Sequence, residues 1–130
     1  MHSRSFHHTV TCSSGGFTLI ELLVVMGIVS ALMAVALPRY SDYRAHSFDS
    51  RAEIDLRSVA MAEEAYFLQK EEYLSCANDT CAQLPGIQKL SPGVVLSIVA
   101  SKTAFTGSSS HPKGSGKTFK WDSAAGGMGN

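Results

Sequence analysis

Charge is nearly absent from one stretch of this chain. Between Phe17 and Leu37 the single ionisable side chain is Glu21, and no Lys or Arg lies within the run to pair with it. Such a run cannot be a helix solvated on one face, because it has no polar face. Net charge is absent as well, with 11 basic residues against 11 acidic ones, which argues against a basic nucleic-acid surface; no nucleic-acid partner is expected. Cysteine is scarce at three residues, too few for a disulfide scaffold that replaces a core. No glycine or proline occurs from Arg39 to Leu84, so nothing there punctuates a helix. No Ser, His and acid stand in a recognisable catalytic arrangement, and neither an enzyme nor a cofactor is expected.

The apolar run is a helix of about 30 Å at 1.5 Å per residue, enough to cross a bilayer's hydrocarbon core. Gly16-Phe17 opens it and Pro38 closes it. A lone carboxylate near one end of such a span costs free energy and calls for a partner. Three plainer readings stay open at this point. Ala34-Val35-Ala36 has the form of a signal-peptide cleavage site, although the run is long for a signal. The run could be a simple membrane anchor. Thr18-x-x-Glu21 also fits a capping box, which would make Glu21 a helix-start residue.

Beyond Pro38 the pattern remains helical. Phe48, Ala52, Leu56, Val59 and Tyr66 recur at the spacing of one helix face, with Arg51, Asp55, Glu63 and Glu64 expected mostly off it. One helix is expected from about Phe17 to about Lys70, kinked near Pro38. Residues 71–92 read as a loop, with turn signals at Pro85-Gly86 and Ser91-Pro92-Gly93. Three strands follow: Val94 to Ser101, Thr103 to Ser109 and Thr118 to Asp122. Their short connections favour an antiparallel meander. Ala124 to Asn130 reads as a loose tail. The expected fold class is α+β: a long N-terminal helix, transmembrane in its first half, packed by its second half on a small antiparallel sheet to give a ladle.

Gly16, Phe17, Thr18, Leu19, Ile20, Glu21, the apolar run and Pro38 occur in an order that resembles the N-terminus of type IV pilins. Tyr40-Ser-Asp-Tyr-Arg44 and Asp55-Leu-Arg57 are similar to short-headed pilins of that family. The resemblance implies a leader over 1–16, a transmembrane and filament-core helix over 17–38, and a head over 39–130. It implies cleavage between Gly16 and Phe17 by a prepilin peptidase, with N-methylation of Phe17. Glu21 and Thr18 would serve assembly, and Pro38 would mark the helix kink. The implied partners are other copies of the chain, the peptidase, the inner membrane before assembly and the pilus assembly machinery. The implied location is the bacterial inner membrane, head exported, and then an extracellular pilus. A type II secretion pseudopilin and a minor pilin with a surface- or DNA-binding head share this architecture. Without residues 1–16, which hold Arg4 and no acid, 10 basic and 11 acidic residues remain, about −1.

Arg39, Arg44 and Arg51 after the span would by themselves place the C-terminal side in the cytoplasm. The family exports this side, and an even cysteine pair agrees. Cys76 and Cys81 are therefore expected to be bonded, while Cys12 falls in the leader. His46, His111, Cys76 and Cys81 match no zinc spacing, and no metal is expected. His111-Pro-Lys-Gly-Ser-Gly-Lys-Thr118 ends like a phosphate-binding loop. Such a loop needs glycine where His111 stands and a helix after it, so a hairpin turn is the better reading. Asn78-Asp-Thr80 is a formal glycosylation sequon. The aromatic residues Phe17, Tyr40, Tyr43, Phe48, Tyr66, Phe67 and Tyr73 mark the helix and are read as packing residues.

Overall fold

A computed structural model describes residues 15–129. Residues 1–14 and Asn130, which hold Arg4, Cys12 and most of the expected leader, lie outside the described residues. The chain divides into two units between Ala36 and Leu37. One helix, α1 (Leu19–Lys70), has its first turns in the first unit and the remainder in the second. Leu, Met, Ala and Val populate those first turns on every side, and every residue from 15 to 44 is exposed. Ser30 satisfies its hydroxyl within the helix by donating to Met26 O at 2.7 Å.

In the second unit α1 continues through Pro38 without interruption. Its buried positions include Asp49, Ala52, Leu56, Val59 and Glu63, alternating steps of three and four that keep one stripe turned inward. The helix ends where Glu71 takes a left-handed backbone, φ 58°, its N–H still donating to Phe67 O at 2.8 Å. Glycine normally occupies this cap, because a side chain there is crowded.

The sheet has five strands, β1 (Cys76–Ala77), β2 (Val95–Ala100), β3 (Phe105–Ser110), β4 (Thr118–Asp122) and β5 (Gly127–Gly129). They lie in sequence order and every neighbouring pair is antiparallel. The three expected strands are β2 to β4. The two additional strands, of two and three residues, are too short to show a period of two. The stretch read as a loose tail thus supplies β5, with Met128 opposite Trp121. The stretch read as a loop holds β1 and a 3-10 helix over Asn78–Gln83.

Leu96, Ile98 and Phe105 turn inward against Leu56 and Val59. Burial of each Leu, Ile or Phe side chain contributes roughly 1.5–3 kcal/mol. Gly107 sits where a Cβ would lie 2.7 Å from Ile98 Cδ1 and 2.8 Å from Leu56 Cδ1, so the absence of a side chain sets how closely sheet and helix approach. Beside it the Ser109 hydroxyl donates to Ala52 O at 2.7 Å, tying β3 to the helix backbone. Cys76 and Cys81 form a disulfide with a Cα–Cα distance of 5.1 Å. So short a closed loop removes about 2 kcal/mol of unfolded-chain entropy.

Glu63, expected off the packed face, is 0% exposed. It stands four residues after Val59 and seven after Leu56, so the apolar stripe carries it inward. Glu63 Oε2 accepts the Leu74 N–H at 2.9 Å, and Oε1 has no partner among the described residues. Burial pushes this carboxyl above the usual carboxylate range; the Leu74 bond acts against that, and neighbouring Glu64 adds to it. Asp49 is the second buried acid, at the other end of the stripe. Its carboxylate accepts the Ser115 N–H at 3.0 Å and the Ser115 hydroxyl, holding the β3–β4 connection against α1. A Cβ on Gly114 would collide with Asp49 Oδ1.

Two outcomes are expected. The folded-state pKa of Glu63 is raised, so its contribution is fully present below the unfolded-state value of about 4.3 and is lost as pH rises through the folded-state value. Glu63→Gln should therefore stabilise the head by about 1 kcal/mol at pH 8, with the gain fading towards pH 4, as read by thermal unfolding. Gly114→Ala should destabilise it by roughly 1–3 kcal/mol, because the Asp49 carboxylate has to move; chemical denaturation measures this.

Candidate functional site

The residues that open α1 form a compact set. Gly15 and Gly16 have nothing within 4 Å of a built Cβ, and Phe17 is 86% exposed. Thr18 starts the helix: its Oγ1 accepts the Glu21 N–H at 3.3 Å and its carbonyl accepts the Leu22 N–H at 3.2 Å. A threonine hydroxyl in this place satisfies one of the amides that a helix start leaves open. Glu21 is thereby fixed in the first turn, where a negative charge is favoured by the helix dipole. The first half of the capping box is present. No donor reaches the Glu21 carboxylate among the described residues.

Behind Glu21 the helix is long and apolar enough to cross a membrane, and none of that window is buried against the described residues. Leu19, Leu23, Met26 and Leu32 are each more than 60% exposed. Apolar area on this scale needs cover from lipid or from other chains.

The other sequence candidates fall apart from this set. Pro38 lies inside α1, beyond the span. Cys76 and Cys81 bond to each other and so cannot ligate a metal as thiolates. His46 is exposed, whereas His111 is buried and stacked on Phe48 at 4.4 Å. The His111 Nδ1 accepts the Lys113 N–H at 3.0 Å, and Nε2 lies 3.2 Å from Pro92 O, so both ring nitrogens are engaged. No group of three His, Cys, Asp or Glu suited to a metal occurs among the described residues.

The phosphate-loop-like segment joins β3 to β4 and leads into no helix. Its Ser115 N–H, which a phosphate would need, already faces the Asp49 carboxylate. The Asn78 side-chain oxygen accepts the Leu96 N–H at 2.9 Å, giving the sequon asparagine a role in holding the 3-10 turn to β2. The sequence reading did not find Asp49 and placed Glu63 off the packed face, although their steps of three and seven from Ala52 and Leu56 put both on the buried stripe.

The sequence family described as the prokaryotic N-terminal methylation motif matches residues 12–37. The chain is 38% identical over 64 residues to the type IV major pilin protein PilA of Myxococcus xanthus, covering 49% of this chain and 29% of that protein. It is 40% identical over 62 residues to a fimbrial protein of Pseudomonas aeruginosa, covering 48% and 40%. A fimbrial protein of Neisseria meningitidis serogroup A is 45% identical over 67 residues, covering 52% and 38%. The matched part spans less than half the length of each of these relatives. This chain therefore carries the prokaryotic N-terminal methylation motif over residues 12–37, and about half of its length is similar to proteins named as type IV pilins and fimbrial proteins.

Proposed function

We propose that this chain is a structural subunit of a type IV pilus. In this reading 1–16 is a leader removed by a prepilin peptidase after Gly16, and the new amine of Phe17 is methylated. Residues 17–38 hold the subunit in the inner membrane and then form the filament core, and 39–130 form the exported head. The observation that carries the reading is an apolar helix that the described residues leave uncovered and whose one carboxylate meets no donor among them, joined to a unit that has its own core. The methylation-motif match and the relatives named as pilins and fimbrial proteins support it. The disulfide suits an oxidising compartment outside the cytoplasm.

Glu21 carries the mechanism. A carboxylate at the centre of a span costs about 2.5 to 3.5 kcal/mol on insertion scales, and less near an end. The run from Phe17 to Leu37 contains no cation of its own. Cleavage creates one, the Phe17 amine. In a staggered bundle Glu21 of one copy can meet that amine on its neighbour, and the attraction strengthens as lipid and water leave. The pair would fix the axial register of helices that are otherwise uniformly apolar. Thr18 supports it by holding the first turn in shape.

Glu21→Val should be made, inserted and cleaved, with a mass beginning at residue 17, while surface filaments fall to below about a tenth of their normal number for want of the ion pair. Intact-mass analysis and electron microscopy of sheared filaments read the two effects. Normal filaments from this variant would reduce Glu21 to a helix cap, and a mature chain beginning after Ala36 would make the run an ordinary signal peptide.

A further inference from the structure

Three cations gather near the start of the second unit. Arg44 and Arg51 stand two turns apart on α1, so both project from the same side of the helix. Their guanidinium groups lie over the Phe48 ring at 5.9 and 5.3 Å, and Phe48 is itself stacked on buried His111. Lys113 joins them from the β3–β4 connection. Its N–H donates to His111 Nδ1 at 3.0 Å, and Asp49 holds the next turn of that connection through the Ser115 N–H, so the segment carrying Lys113 is fastened to α1. A cleft of about 420 Å³ is bordered by Arg44, Phe48 and Lys113. A second, of about 380 Å³, is bordered by Phe48, Arg51 and Lys113. Each cleft therefore combines a guanidinium, an ammonium and an aromatic ring.

The acids of this stretch are engaged elsewhere. Asp49 is buried and bonded to Ser115. Asp55 accepts the Ser91 N–H at 2.7 Å and the Ser91 hydroxyl at 3.1 Å. Glu53 pairs with Arg57 at 3.0 Å, the ion pair found among the described residues. Asp42 stands two residues before Arg44 and so lies near the other side of the helix. Arg44, Arg51 and Lys113 are all exposed, and none of them pairs with a carboxylate among the described residues. Such a set suits a phosphate, which takes forked bonds from a guanidinium and a point charge from an ammonium. Chain length says which phosphate. Arg44 follows Leu37, the end of the apolar run, by seven residues. Seven residues reach at most about 25 Å by any path, and about 10 Å as the helix they form. Headgroups add roughly 5–8 Å to each side of the hydrocarbon core. With the run in a bilayer, Arg44 is thus kept close to the headgroups. Tyr40 and Tyr43, 65% and 74% exposed, stand between the run and Arg44, and tyrosine favours the membrane interface.

We propose that Arg44, Arg51 and Lys113 bind the phosphate of an anionic phospholipid in the leaflet from which the apolar run emerges. Phe48 holds the two guanidinium groups ready, which lowers the ordering cost of the contact. The contact fastens the head to the membrane surface while the subunit waits in the bilayer, and it is given up when the subunit leaves. This rests on the membrane stage of the reading above and adds the lipid that the head recognises there.

The test uses the full chain in phosphatidylcholine vesicles that carry a trace of spin-labelled lipid. Electron spin resonance reads the fraction of label slowed at the protein, for labelled phosphatidylglycerol against labelled phosphatidylcholine. The unaltered chain should prefer phosphatidylglycerol about fivefold or more. Arg44→Gln, Arg51→Gln and Lys113→Gln together should cut the preference to about twofold or less, with the fold confirmed by circular dichroism. Arg57→Gln, which removes a cation already paired with Glu53, should leave the preference unchanged. A preference that survives the triple variant would overturn the proposal. One lost as fully in Arg39→Gln would do the same, assigning it to the end of the apolar run. So would a preference abolished by inorganic phosphate but not by sodium chloride of equal ionic strength, since free phosphate would then be the ligand. An inserted chain with no lipid preference refutes this proposal alone, whereas a chain that does not enter the vesicles refutes the membrane-spanning reading and the proposal with it.

Discussion

An apolar helix that the described residues leave uncovered is the constraint on which the rest depends. None of the span is buried against the described residues, and its Leu, Ile, Val, Met and Ala side chains would fit lipid and neighbouring helices equally well. Hydrophobic cover is non-directional, so it can gather such helices but cannot fix their register. In the proposed reading the one carboxylate in the first turn is the directional element, and Thr18 Oγ1 holds its backbone by accepting the Glu21 N–H. The second unit is built so that it does not share this dependence. It buries Leu56, Leu96, Ile98 and Phe105 on itself and closes Cys76 to Cys81.

The same helix serves both units by changing its pattern rather than its conformation. Before Pro38 it is apolar all round; from Asp49 onwards a single stripe is buried. Acids stand at both ends of that stripe, and each fastens chain that has no regular ladder to hold it. Asp49 receives the β3–β4 connection through Ser115, and Glu63 receives the chain leaving the helix through Leu74 N–H. Each acid thereby gives its segment of chain a defined position against the helix. The head is thereby fixed at the two places where its loops meet the helix.

Local signals were readable in the sequence where they were periodic. The run from Phe17, the stripe through Ala52, Leu56 and Val59, and the alternation of Leu96 and Ile98 all reported their structure. Phe119 and Trp121 reported the inner face of β4 in the same way, and the Gly-rich segment after His111 reported a hairpin. Two kinds of feature were not readable. Strands of two or three residues, such as Cys76–Ala77 and Gly127–Gly129, carry no period and exist because a neighbour offers its edge. Buried carboxylates break the rule that acids face water. Their burial depends on donors distant in sequence, Leu74 for Glu63 and Ser115 for Asp49, which no window along the helix contains.

Burial of the N-terminal helix against other copies is the claim on which the functional account stands. The most direct measurement is a helical reconstruction by electron cryomicroscopy of filaments sheared from cells that make the unaltered chain. Expected is density for the helices from Phe17 to Leu37 packed against one another along the filament axis, with each Glu21 beside the Phe17 amine of a neighbouring copy. Filaments in which that run is absent, or lies outside with the heads making every contact, would contradict it.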